Sequence, residues 1–414
     1  MTRTCLEDDP VLHAALRVLA GSDVERLKFV REVRATTGRV IERYAAVPSL
    51  ADPRALLPLD AAPAVLRTAL GQHVAGAASP VARAAARLLR LASGLGLARP
   101  LLQGRLSVVA PADDLVETPL HDFLSEVLGR DEFFTSLRLA PRRPNGKPVV
   151  QAVARNGRVL AYAKFGWEKL TRRLICHEAS VLAELAALSR ESVLQVPRII
   201  YSGEWRNLET LVLAPLEGTG RTPRSSANVP VAASIALADV RPRVVERLGD
   251  STFWWRTLSR IGQLAPLLSE GARRVILEAR RTIETRWGDV ELPTGQVHGD
   301  WIPPNMLVRP DGKFNVWDWE RSMSDAPLGI DTVQFILYLE LQRRQPYRSL
   351  YSRVKRYGET ALVRHGLDPA NLRLLVTLSL LETILWFGEA RQAGRDEQED
   401  SRFALALAVV LDQR

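Results

Sequence analysis

Apolar positions change period along the chain, and the changes divide it. Val24, Leu27, Val30 and Val33 recur at helical spacing behind Ser22 and Glu25, a pair placed as a capping box, which predicts a helix. Residues 81–92 set Val81, Ala84, Ala85, Leu88 and Ala92 on one face and Arg83, Arg87 and Arg90 on another. Such a helix either keeps its basic face in water or lies on a membrane surface. Residues 1–115 therefore read as a mostly helical N-terminal region, whose role the pattern does not name.

From residue 116 the reading changes. Thr118 is placed as an N-cap, Pro119 as the first helical residue and Gly129 as the stop of a short amphipathic helix. The period then drops to two: Leu137 and Leu139 alternate, Val149–Val153 forms a second run, and Asn156-Gly157 supplies a hairpin turn into Val159–Phe165. Helical spacing returns in Leu170, Leu174, Glu178, Val181, Leu182 and Leu185. Strands are expected around Val196–Ser202 and over Thr210–Leu213, and Pro215 and Gly218 then break the pattern as a hinge at 214–218. Residues 219–250 read as an exposed insertion. Beyond Phe253 helices dominate, apart from one hairpin, Asn305–Val308 and Phe314–Asp318 around Pro310-Asp311-Gly312. The organisation is α+β, with units at 1–115, 116–217 and 218–414.

At 414 residues the chain is too long for one ordinary core. The net charge of +9 comes from arginine, because lysine occurs only at 28, 147, 164, 169, 313 and 355. The arginines are scattered among acidic residues, without the basic tract that nucleic acid would call for, so an anionic small ligand suits the balance better. Two cysteines, Cys5 and Cys176, have no metal-ligand spacing, and a reducing compartment fits them. No apolar run approaches the length of a membrane span, and the acidic N-terminus is unlike a secretion signal, so a cytoplasmic location is expected.

The chemistry concentrates in His298-Gly299-Asp300-Trp301-Ile302-Pro303-Pro304-Asn305 and, beyond the hairpin, Asp318-Trp319-Glu320. Two carboxylates and an amide at that spacing can converge hard oxygen ligands on one point, which suits magnesium. His298 reads as a structural, hydrogen-bonded residue, and Trp317 and Trp319 as packing. Trp301 is open between packing and substrate contact. Asp331 either braces the loop or caps a helix.

In these residues the chain resembles the aminoglycoside phosphotransferase and choline kinase family. The resemblance covers roughly residues 130–390 and implies a two-lobed protein-kinase-like fold, with a small antiparallel-sheet N-lobe and a mainly helical C-lobe. It implies Asp300 as the catalytic base, Asn305 and Asp318 as magnesium ligands, and ATP or GTP as phosphoryl donor. It also implies Lys164 as the lysine on the nucleotide phosphates and Glu178 as its partner, with Ala214 and Leu216 offering backbone to the base. Asn145 and Gly146 would do the same for the phosphates, although Pro141–Lys147 contains one glycine where a glycine-rich flap is the rule.

The expected activity is phosphorylation of a hydroxyl on a small polar acceptor, with no nucleic acid involved. A charge of +9 is a poor attractor for polycationic antibiotics, but the acidic stretch from Asp396 to Asp400 keeps that class open. The competing reading is a catalytically weak nucleotide-binding scaffold that docks a protein partner through its first segment. A protein kinase is disfavoured, because no activation segment separates Asp318 from the helix near Leu328.

Overall fold

Strands that alternate between two buried faces need a helix on each side, and the first part of the chain supplies both. The structure, a computed structural model, describes residues 9–21, 24–31, 38–75, 88, 90–93, 102, 104–110, 117–139, 146–188, 191–343, 345–394 and 400–413. By internal contacts the chain forms two units, residues 1–179 with 198–215 and residues 180–197 with 216–414.

The elements run α1 (Pro10–Ala20), β1 (Lys28–Arg31), β2 (Arg39–Pro48), β3 (Pro53–Pro58), α2 (Pro63–Ala75), β4 (Arg105–Ala110), α3 (Pro119–Leu128), β5 (Phe133–Arg138), β6 (Val149–Ala154), β7 (Val159–Gly166), α4 (Lys169–Leu185), β8 (Leu194–Gln195), β9 (Ile199–Trp205) and β10 (Leu208–Leu213). The strands of the first unit, β1 to β7, β9 and β10, join one antiparallel sheet in the order β1-β4-β2-β3-β5-β6-β7-β10-β9, and β8 belongs to the second unit. Leu12, Leu16 and Leu19 of α1 and Leu120 and Leu124 of α3 pack with Tyr44, Leu56, Val108, Leu137, Val150 and Phe165. The residues between them in the strands, Ala45, Val47, Ala55 and Leu57, face Leu66, Ala69 and Leu70 of α2. Each such leucine, fully buried, contributes about 1.5–3 kcal/mol.

The mostly helical reading of residues 1–115 is thereby corrected: β1–β4 lie within it and extend the sheet through β3, whose Leu56 pairs with Leu137. The expected helix at Val24 is a single 3₁₀ turn over Val24–Arg26, after which Leu27 and Phe29 alternate into the core and Phe29 pairs with Val108. Ser22 and Val33 lie outside the described residues, as do most of 81–92. The expected helix at 119–128 and its caps are present. Thr118 Oγ1 accepts from His121 N–H, and Gly129 closes the helix at φ 63°. The Asn156-Gly157 hairpin joins β6 and β7, with Gly157 at φ 86°.

The second unit continues with α5 (Val231–Ala238), β11 (Val244–Arg247), α6 (Thr252–Leu264), α7 (Glu270–Arg286), β12 (Glu291–Val297), β13 (Met306–Val308), β14 (Phe314–Val316), β15 (Met323–Pro327), α8 (Ile330–Gln342), α9 (Leu350–Arg364), α10 (Leu372–Gln392) and α11 (Asp400–Leu411). Residues 219–250 are not simply an exposed insertion. Val231, Ala233 and Leu237 are buried, α5 packs on β12 and α8, and Ser226 Oγ donates to the buried Glu340 at 2.7 Å. Small apolar side chains let α5 sit close to its neighbours. A second sheet, β11-β12-β15, escaped the sequence reading because Pro293 and Gly295 interrupt the central strand. β14 pairs antiparallel with β13 and parallel with β8. The stretch Pro369–Gln392 is, contrary to expectation, long and apolar enough to cross a membrane, with mean hydropathy 1.4. It is also 72% buried inside the protein, packed by α6, α7, α8, α9 and α11, which is the setting of a core helix.

Candidate active site

In the first unit Ala161, Ala163 and Phe165 of β7 face the core, so Lys164 projects from the opposite side of the sheet. Its Nζ donates to both oxygens of Glu178 on α4, at 2.8 and 2.7 Å, and both side chains are buried. Gly166 permits this arrangement: a Cβ there would meet the Thr171 carbonyl carbon at 2.7 Å, so only glycine lets the start of α4 come this close to the end of β7.

In the second unit β12 delivers the chain to His298. Gly299 turns it at φ 77°, where a Cβ would lie 2.1 Å from the Arg321 carbonyl oxygen. The loop is then held from α8: Asp331 Oδ2 and Oδ1 accept from His298 N–H (2.7 Å) and Gly299 N–H (3.0 Å). Gln334, one turn later, accepts from Trp301 N–H at 2.6 Å and donates to the Gly299 carbonyl at 2.9 Å. His298 Nδ1 accepts from Asp300 N–H at 3.2 Å, which leaves Nε2 as the protonated nitrogen, donating to the Trp317 carbonyl at 3.1 Å. The histidine is therefore a neutral brace. Trp301 and Trp319 are fully buried against it, so both are packing residues.

Asn305 Nδ2 donates to the Asp300 carboxylate Oδ2 at 2.7 Å and to its backbone carbonyl at 3.0 Å. Trp317 N–H donates to the Asn305 carbonyl, tying the hairpin end to the loop. Asp318 follows in the left-handed region, at φ 75° and ψ 55°, an unusual conformation for a non-glycine residue and one that clusters at functional sites. Burial and then the charge of Asp318 push the Asp300 carboxyl up to about 7, with Glu320 adding to the rise and the Asn305 bond and Arg321 opposing it.

No family model matches the sequence, and no curated protein resembles it in sequence. Its likeness is to solved structures. The choline kinase LicA from Streptococcus pneumoniae superposes with a TM-score of 0.50 at 16% identity, over 70% of this chain and 97% of its own. The fold is protein-kinase-like. A thermostable mutant of the aminoglycoside phosphotransferase APH(4)-Ia and a microcompartment-associated aminopropanol kinase also superpose. Their TM-scores are 0.47 and 0.45, at 13% and 15% identity over 70% of this chain and 98% and 95% of theirs.

Within this protein-kinase-like chain the predicted residues fall in two sets, Lys164 with Glu178 in the first unit and Asp300, Asn305 and Asp318 in the second. Ala214 follows β10 and donates its N–H to the Arg198 carbonyl at 2.8 Å, so any contact it offers a base runs through its carbonyl. Leu216 opens the second unit, half-buried. Gly146 lies in coil before β6, while Asn145 and the rest of 141–145 lie outside the described residues, as does 395–399 of the acidic stretch. Gln334 was not anticipated. Its signal was a polar residue one turn beyond Asp331, set between the apolar Val333 and Phe335.

Asp331 braces the loop, and burial pushes its carboxyl up to about 6 against the pull of its two backbone bonds. A carboxyl raised above its unfolded value of 3.8 keeps its proton longer in the folded state. This group's contribution to stability is then greatest below about pH 4 and declines through about pH 6, by roughly 3 kcal/mol. Urea midpoints of the intact protein and Asp331→Asn should converge or cross as pH rises over that window; divergence would contradict the assignment.

Proposed function

We propose that the chain transfers the terminal phosphoryl group of ATP or GTP to a hydroxyl of a small polar acceptor, with Asp300 as the base. The observation that carries this reading is the Asp300 carboxylate, fixed through Oδ2 by Asn305 and placed within the field of Asp318. With Oδ2 occupied, Oδ1 is the atom left to orient the hydroxyl and take its proton. A base whose affinity for a proton is raised by its surroundings is matched to that task.

Magnesium fits the residues present. Asn305 turns its amide nitrogen to Asp300, which leaves its amide oxygen for a cation, and Asp318 adds a carboxylate. The mutual repulsion of Asp300, Asp318 and Glu320 is what a divalent ion relieves. When bound, the ion neutralises charge on the phosphates. Lys164, held rigid by Glu178, supplies a second positive charge for them, and the backbone at Gly146 and from Ala214 to Leu216 serves the phosphates and the base. The work left to the protein is positioning and electrostatics.

The test is incubation of a metabolite pool with ATP labelled on the terminal phosphate. The intact protein should label a small molecule. Asp318→Ala should slow this by about 100-fold or more, the scale of losing a preorganised electrostatic contact. Equal labelling by the two proteins would remove the basis of the reading.

A further inference from the structure

We infer that Arg321 grips an anionic substituent of the acceptor, a carboxylate or a phosphate, so that the molecule phosphorylated is a hydroxy acid or a phosphorylated alcohol. The inference rests on the phosphotransferase reading above.

Arg321 follows Asp318 by three residues, and its carbonyl oxygen abuts Gly299, the neighbour of Asp300. Its side chain leads to α10. There Nη1 donates to Glu389 Oε2 at 2.7 Å, and the guanidinium carbon stands 4.9 Å from the centre of the Trp386 ring. Glu389 and Trp386 are one turn apart on one helix, so the plane of the guanidinium is set from two sides.

Nε and Nη2 are buried, and neither has a hydrogen-bond partner. Buried donors are almost always satisfied, and an orphan pair on a charged group calls for a partner. These two nitrogens form the edge of the guanidinium that lies away from Nη1, and that edge matches the two oxygens of a carboxylate or phosphate.

The acidic residues of α10 beside it do not reverse the preference. Glu382 is taken by Thr257 and Arg260, and Glu389 by Arg260 and Arg321. Arg260 uses Nε, Nη1 and Nη2 on these carboxylates. What the cluster has left over is donors on a cation. The Arg321 carbonyl against Gly299 sets this residue beside the base, and its charge opposes the rise at Asp300, so that edge is assigned to the acceptor, whose hydroxyl meets Asp300, and not to the nucleotide.

The experiment compares glycerate, glycerol 3-phosphate, glycerol and ethanolamine as acceptors for labelled ATP, with the intact protein, Arg321→Gln and Arg321→Lys. Glycerate or glycerol 3-phosphate should exceed glycerol and ethanolamine in kcat/KM by about 30-fold or more. Which of the two leads tells carboxylate from phosphate. Arg321→Gln should raise KM for the favoured anion by a similar factor, and Arg321→Lys should recover part of it. Preference for ethanolamine or glycerol overturns the inference and leaves phosphotransfer standing. So does a rise confined to the KM of the nucleotide. The preference of the intact protein is read without any substitution, so the test survives the misfolding of a variant. If the metabolite pool takes no label either, the phosphotransferase reading falls and this inference with it.

Discussion

Asparagine at position 300 is expected to lower kcat by about 1,000-fold, within the range for removing a positioned general base. The substitution keeps shape and keeps an oxygen for Asn305 Nδ2, which now bonds Asp300 Oδ2 at 2.7 Å. It removes only the ability to accept a proton and one negative charge beside Asp318. The fold should persist, because the bonds that set the loop run from Asp331 and Gln334 to backbone atoms and do not involve the Asp300 carboxylate. His298 cannot take over the role. Its Nδ1 already accepts from Asp300 N–H, and its Nε2 is directed to the Trp317 carbonyl. The measurement is single-turnover transfer from labelled ATP beside a thermal melt. A well-folded Asp300→Asn that retains more than a tenth of the rate would show that Asp300 is not the base, and the scaffold reading would return.

The parts of the structure legible in the sequence were those whose signals are local. Turn chemistry announced the β6–β7 and β13–β14 hairpins through Asn156-Gly157 and Asp311-Gly312, and Thr118-Pro119 with Gly129 announced α3. Five positions from Asp300 to Asn305 sufficed to suggest their contact, because a short loop brings such residues together whatever surrounds it. What stayed hidden depends on distant partners. The segment Lys28–Arg31 is a strand because Val108 and Val109, some eighty residues on, complete its ladder, and its apolar residues alone also fit a helix. β12 carries Pro293 and Gly295 and is held by β11 and β15 on either side. Arg321 gave no sign of its place, since only the fold sets Glu389 and Trp386 against it.

Methionine in place of Lys164 is expected to destabilise the chain by about 3–5 kcal/mol, the cost of leaving a buried ionic partner alone. Glu178 has no exposed surface, and its oxygens receive Lys164 Nζ at 2.8 and 2.7 Å, so the variant leaves its buried charge without that ammonium. The carboxyl would escape by taking up a proton, which makes the loss steeper at high pH than at low pH. Glu178→Gln strands the ammonium instead, with a loss of similar size. The double variant Lys164→Met with Glu178→Gln should then be less damaged than the sum of the two, because neither charge remains to be stranded. Stability alone would be satisfied by any buried pair. The functional role requires more: all three variants should raise the KM for the nucleotide, including the double variant in which folding has partly recovered. Denaturant midpoints and nucleotide titrations on the same preparations separate the two effects. Recovery of both stability and nucleotide affinity in the double variant would mean that the pair only fastens α4 to β7, and the phosphates must find their positive charge elsewhere.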